Sequence, residues 1–365
     1  MGKFFKFIFK AIGVLILVGI VAIIGVAIFS GIKNSQDKKS LKNAGYVQSC
    51  VVGSYELNAR IYGKTENAKH VILAMSDLGV MDTTVTFEKC LSMLDQEETE
   101  IVILDRAGYG LSNDTGSSRS IETIVEEYRT AIDSLNVEGP YILMASGVSG
   151  LYATAWANLY PDDLEAIIYL DSTIPTEDGT LEEYDEDVDW TDFVKTTMLK
   201  WGWNRFFYKS LAKDTSYNFS EESRYIRLIN TIRTTSYALL NETKQLQKNA
   251  QYAYDCTDGA MAALPKLYIN ASYSFTDVEE VRDYWQYVNQ VTGETVYDLS
   301  NETTFQKNAE EFIEECQEKN EKYVQPYLER IGNVKEEDIP GDSLIYEYAP
   351  EAVAAKIYQF VMALK

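Results

Sequence analysis

From residue 70 to residue 171 the sequence alternates short apolar runs with stretches of helical periodicity, and that alternation leaves few folds open. HVILAM (70–75), IVILD (101–105), YILMA (141–145) and AIIYLD (166–171) are apolar throughout and of strand length. SIETIVEEYRTAIDSL (120–135) places Ile121, Ile124, Val125, Tyr128, Ile132 and Leu135 on one helical face behind Ser120, a good N-cap, and SGLYATAWANLY (149–160) reads as a second helix. Strands that are apolar on both faces must be covered on both faces, so the pattern predicts a mostly parallel sheet between layers of helices. Upstream, YVQSCVV (46–52) and YELNARIYG (55–63) alternate in character and meet at Gly53-Ser54, which predicts a hairpin. Residues 172–262 interrupt the alternation with a polar, aromatic, mostly helical stretch, read as a cap inserted after the sixth strand. LPKLYINAS (264–272) restores a strand, and PEAVAAKIYQFVMAL (350–364) predicts a closing helix with Pro350 in its first turn. No internal repeat is visible.

Ahead of this body lies AIGVLILVGIVAIIGVAIFSGI (11–32), an uncharged run that spans about 30 Å as a helix, enough to cross the hydrocarbon of a bilayer. It is longer than the apolar core of a cleaved signal peptide and lacks a clear small-x-small site, so it reads as an uncleaved, single-pass anchor. The expected organisation is a basic tail (1–10), the anchor (11–32), a linker (33–46), the first part of the core (47–171), the cap (172–262) and the second part of the core (263–365). Lysines flank the run on both sides, so the charge rule does not set its orientation. An acidic body behind such an anchor is expected outside the cytoplasm, at the cell membrane.

The formal charge of −23 is distributed unevenly: residues 1–42 hold seven lysines and one aspartate, and the body is strongly acidic. Phosphate backbones repel such a surface, which argues against a nucleic-acid partner. Four dispersed cysteines offer neither a disulfide framework nor a zinc site. No cofactor motif stands out.

Five segments, in order, resemble the α/β-hydrolase family, most closely its membrane-anchored bacterial branch with a helical cap. AMSDLG (74–79) is similar to the oxyanion-loop motif after the third strand. DRAGYGLS (105–112) matches the family's DRxGYGxS, and GPYILMASGVSGLYATAWANLYPDDLEAIIYLD (139–171) resembles the block that carries the nucleophile elbow. LPKLYINAS precedes the position of the catalytic acid, and GDSLIYEYAPEAVAAKIYQFV (341–361) that of the histidine. The resemblance covers residues 46–365 and implies a serine hydrolase.

The residues at the catalytic positions do not fit that implication. The elbow pattern, small-x-Ser-x-small, aligns Ala145 and Ser149 with the small positions and Gly147 with the nucleophile. Glycine tolerates the strained turn but has no attacking group. The acid position is Ser274 and the histidine position Ser343. The chain has one histidine, His70, which precedes the third strand and belongs at the wrong end of the sheet. In the oxyanion loop Asp77 stands where glycine is common, so the backbone donors of Leu78 and Val148 would face a carboxylate that opposes developing negative charge. Substitutes exist in principle: Ser146 or Ser149 as nucleophile, Asp171 or Asp277 as acid. Activation of a serine, however, needs a neighbouring base.

Asp185, Asp187 and Asp189 have the one-three-five spacing of a calcium loop, but Trp190 and Thr196 stand at its sixth and twelfth positions, so no metal site is expected. The aromatics of WGWNRFFY (201–208) are expected in the cap core, bordering a groove for a small-molecule or protein ligand. The expected function is therefore a membrane-anchored pseudo-hydrolase that binds through its cap groove. The alternative is an active esterase or peptidase with a non-standard site.

Overall fold

The structure, a computed structural model, describes residues 2–43, 46–63, 68–94, 98–181, 188–203, 235–257 and 259–364. Eight strands form one sheet: β1 (Gln48–Val52), β2 (Tyr55–Tyr62), β3 (His70–Met75), β4 (Thr99–Asp105), β5 (Tyr141–Ser146), β6 (Leu164–Leu170), β7 (Lys266–Asn270) and β8 (Val334–Asp338). Their spatial order is β1-β2-β4-β3-β5-β6-β7-β8. The β1–β2 hairpin joins β4 antiparallel, and every later pair is parallel.

The apolar runs are central strands for the expected reason: alternate residues feed two separate cores. Leu73, Met75, Leu143, Ala145, Ile167 and Tyr169 point into one core. Helices α2 (Ile121–Leu135) and α3 (Ser149–Leu159) pack there. Ile72, Ala74, Ile142, Met144, Ile168 and Leu170 point into the other, against the closing helix Pro350–Val361. Ser120 caps α2 as its sequence suggests, its hydroxyl accepting from Thr123 N.

Three features depart from the sequence reading. Helix α1 runs from Gly2 to Asn43, through the residues read as a basic tail and most of those read as a linker. Strand β8, VKEED, has no counterpart in the sequence pattern; it is a charged strand at the edge of the sheet, paired with β7. Between β7 and β8 the chain also makes a second helical excursion. Its helices Val278–Thr292 and Glu302–Lys319 bury Trp285, Phe305 and Phe275 in a core of their own. Among the described cap residues are helices α4 (Trp190–Met198) and α5 (Tyr237–Asp255).

All four cysteines are buried and free. Burial pushes the Cys50, Cys256 and Cys316 thiols up to about 11 and Cys90 up to about 12. A thiol raised in the folded state keeps its proton after the unfolded chain has lost it. Its contribution to stability is whole below pH 9 and disappears as pH rises through 11 to 12. Lys266 acts in the opposite sense: burial lowers it to about 8, so deprotonation between that value and its ordinary 10.5 relieves the cost of a buried charge. Four thiols against one lysine predict a melting temperature that falls as pH rises from 9 to 11. A melting temperature flat or rising over that range would contradict the balance.

Candidate functional site

The site is built at the carboxyl ends of β3 and β5. Gly147 follows β5 with φ +52°, and α3 starts two residues later. That conformation is one glycine adopts freely and other residues adopt under strain. The Gly147 carbonyl accepts from Gly150 N at 3.0 Å and from Thr173 N at 3.0 Å, which ties the turn to α3 and to the loop after β6. A Cβ placed on Gly147 would overlap the carboxyl group of Asp77. The space a nucleophile side chain would fill is already occupied by a side chain from the neighbouring loop.

Asp77 lies just beyond β3 and is 7% exposed. Its Oδ1 accepts from Leu78 N at 2.7 Å and from Val148 N at 2.7 Å. These are the two amides that the resemblance assigns to an oxyanion. Distances of this length belong to charge-assisted bonds, and a buried carboxylate needs them to offset its lost hydration. The sequence reading left both donors open beside an acidic neighbour. In the structure that neighbour is bonded to both.

The loop is held from behind by Arg106. Its Nη1 donates to the Ser76 carbonyl at 2.5 Å and its Nη2 to the Asp77 carbonyl at 3.0 Å. Its Nε lies 3.1 Å from Oε1 of Glu242, on cap helix α5, and the two side chains are 1% and 0% exposed. Burial opposes the guanidinium charge, but Glu242 and the surrounding tyrosines outweigh it and raise the Arg106 pKa well above its usual value. Tyr152 donates to Glu242 at 2.7 Å, and the Tyr109 ring lies 4.2 Å from the guanidinium carbon. This core-to-cap link does not show in any sequence motif. Its trace was in α5, whose buried residues are Ala238, Glu242, Leu246, Asn249, Ala250 and Ala253; a buried glutamate needs a buried partner.

The substitute nucleophiles have structural partners. Ser146 Oγ donates to the Ser343 carbonyl at 3.0 Å. Ser149 Oγ lies 2.9 Å from the Met75 carbonyl and 2.8 Å from the Ser146 carbonyl, tying the start of α3 to β3. The histidine position thus comes to the elbow, but contributes only the backbone oxygen of Ser343. The acid position, Ser274, closes a turn, its hydroxyl donating to the Ala271 carbonyl at 3.0 Å. Asp171 also serves the β7 loop. Its Oδ1 accepts from Ala271 N and Ser272 N, both at 2.9 Å, and its Oδ2 from Ser272 Oγ at 2.5 Å. Asp277 caps the helix Val278–Thr292 in a capping box with Glu280. His70 begins β3 at the opposite end of the sheet, 3.0 Å from Glu165.

Asp189 is the N-cap of α4, its side chain accepting from Thr191 N and Asp192 N. Asp185, Asp187 and residues 204–208 of the aromatic stretch lie outside the described residues. Among the described residues, no three metal-ligating side chains gather. Beside the elbow, a cleft partly open to solvent lies between the loop after β6 and the β7 loop. Asp171, Thr173, Ile174, Leu181, Tyr273 and Tyr323 line it.

No protein family model matches the chain. A 173-residue stretch is 30% identical to the uncharacterized protein YbdG of Bacillus subtilis (strain 168), covering 47% of this chain and 50% of that protein. The chain therefore matches about half the length of this curated relative. A haloalkane dehalogenase variant, DbeA-M1 from Bradyrhizobium elkanii, superposes with a TM-score of 0.54 at 12% identity, over 87% of this chain and 97% of that one. The enol-lactonase of Burkholderia xenovorans LB400 superposes with a TM-score of 0.52 at 12% identity, over 86% of this chain and 100% of that one. At that identity the likeness establishes the fold. The chain has the α/β-hydrolase fold, with a long apolar helix at its N-terminal end.

Proposed function

We propose that this chain is a membrane-anchored pseudo-hydrolase that binds a ligand and does not cleave it. The observation that carries the reading is the Asp77 carboxylate, which fills the place of the elbow side chain and accepts from both Leu78 N and Val148 N. Acyl transfer builds negative charge on a substrate oxygen, and catalysis depends on donors free to meet it. Here a fixed negative charge holds those donors before any substrate arrives. Gly147 supplies no nucleophile, and the one histidine is at the far end of β3.

The cleft beside the elbow is the candidate binding site. Its tyrosines and aliphatic side chains suit a small molecule or peptide with an apolar body and a few polar groups. The apolar helix α1, long and hydrophobic enough to cross a bilayer, would hold this site at the cell membrane, with the body outside the cytoplasm.

A second reading rests on the same carboxylate, since an aspartate in the nucleophile's place can itself attack carbon. That step would need Oδ1 to leave both amides and another group to activate water, so the binding reading is preferred. Fluorophosphonate labelling of the full chain in detergent, beside an active serine hydrolase, tests for a reactive serine. A range of ester substrates tests for turnover by a serine, and alkyl halides, from which an attacking carboxylate would displace halide, test for turnover by Asp77. The expected result is an unlabelled chain with no turnover above background. A labelled serine, or turnover abolished by Asp77→Asn, would overturn the proposal.

A further inference from the structure

Helix α4 and the π-helical turn after it, Leu199–Trp203, present a row of bulky apolar side chains to the outside. Trp190, Val194, Met198 and Trp201 are 73%, 48%, 47% and 42% exposed. At spacings of four, four and three residues they lie on one face. The other side of the helix is engaged by the cap: Phe193 stacks on Tyr237, and Thr197 Oγ1 lies 2.7 Å from the Tyr237 hydroxyl. A contiguous exposed apolar row on an otherwise acidic protein calls for a partner.

Helix α1 identifies that partner. Ser30, 1% exposed, sits against Gly202 so closely that a Cβ there would overlap its side chain. Ser30 is two residues from the end of the apolar run at Ile32. On the same turns of α1, Ile28, Phe29 and Ile32 are about half exposed. A helix rises about 1.5 Å per residue, so Gly202 lies within about 3 Å, measured along α1, of the level at which the apolar run ends. Trp201 and Trp203 flank Gly202, at the depth where tryptophan collects in membrane proteins.

We infer that Trp190–Trp201 is a second membrane contact, an interfacial helix that lays its Trp190, Val194, Met198 and Trp201 face into the bilayer surface beside the anchor. The inference rests on the anchor reading of α1. It adds that the cap is held against the lipid by contacts of its own and does not swing freely on the tether.

The test uses the full chain reconstituted into phosphatidylcholine vesicles whose acyl chains carry bromine, a short-range quencher of indole fluorescence. Wild type is compared with the Trp190→Phe/Trp201→Phe variant; both positions are exposed, so a matched melting curve is expected. Wild type should float with the vesicles and show bromolipid quenching, and the variant should float equally and lose at least half of it. Flotation with equal quenching in the two proteins would overturn the interfacial helix and leave the anchor intact. Failure of wild type to float would overturn both.

Discussion

Gly147→Ser, the substitution that would restore the family's nucleophile, is expected to destabilise the protein by about 4–9 kcal/mol and to restore no activity. Two effects add. A serine at φ +52° carries backbone strain of about 1–3 kcal/mol. Its Cβ would also overlap the Asp77 carboxyl, so the carboxylate must leave Leu78 N and Val148 N, each a charge-assisted bond worth about 1.5–3 kcal/mol. The second effect can be separated from the first. Asp77→Gly alone leaves two donors without their acceptor, whereas in the Gly147→Ser/Asp77→Gly double variant the serine has space beside them. The two changes should therefore couple, the double variant being more stable than the sum of the singles by about 1–3 kcal/mol. Denaturant unfolding of the four proteins measures this. A Gly147→Ser protein within about 0.5 kcal/mol of wild type would mean that the carboxylate does not occupy the elbow, and strict additivity would mean that the two positions do not meet.

Glu242→Ala should cost about 3–5 kcal/mol, because it leaves the Arg106 guanidinium buried without a counter-charge. It also takes the acceptor from Tyr152. Glu242→Gln keeps an oxygen for Tyr152 and removes the charge, so its loss should be intermediate. Glu242→Leu with Arg106→Met would recover only part of the stability, since the Ser76 and Asp77 carbonyls would lose their donor. The order Ala worse than Gln, read from unfolding curves, checks the assignment. An alanine variant within about 1 kcal/mol of wild type would show that the pair does not hold the cap to the core.

The parts of the fold that were legible in the sequence are those where burial dictates pattern. A strand with both faces in a core, such as YILMA, has no positions left for polar residues, and its neighbours in sequence must be the helices that cover it. Strand β8 escaped because an edge strand has no such requirement: VKEED pairs with β7 through its backbone, and its side chains remain partly exposed. Residues 33–43 escaped for a related reason. Their lysines and serines read as a solvated linker, yet the helix continues and buries Leu41 against Val85 and Leu111.

At the site, the sequence identified Gly147, Asp77 and Ser343 as departures from the family's pattern but not the relation among them. That relation depends on β3 and β5 being paired neighbours, so that residues 70 positions apart end side by side. Composition and spacing carry no such information. Likewise, Arg106 lies within a quoted motif, but its partner is on a cap helix more than 130 residues later.

The position of Asp77 also bears on which anions the site would admit from solution. A dissolved carboxylate or phosphonate seeking the Leu78 and Val148 amides would have to displace a rival carried on the same loop as one of them. Tethering over so short a span gives the attached group an effective concentration that dissolved ligands rarely match. Anions built to imitate a tetrahedral intermediate should therefore bind poorly at the elbow. Screens based on them would pass over this protein however well its cleft receives the right molecule.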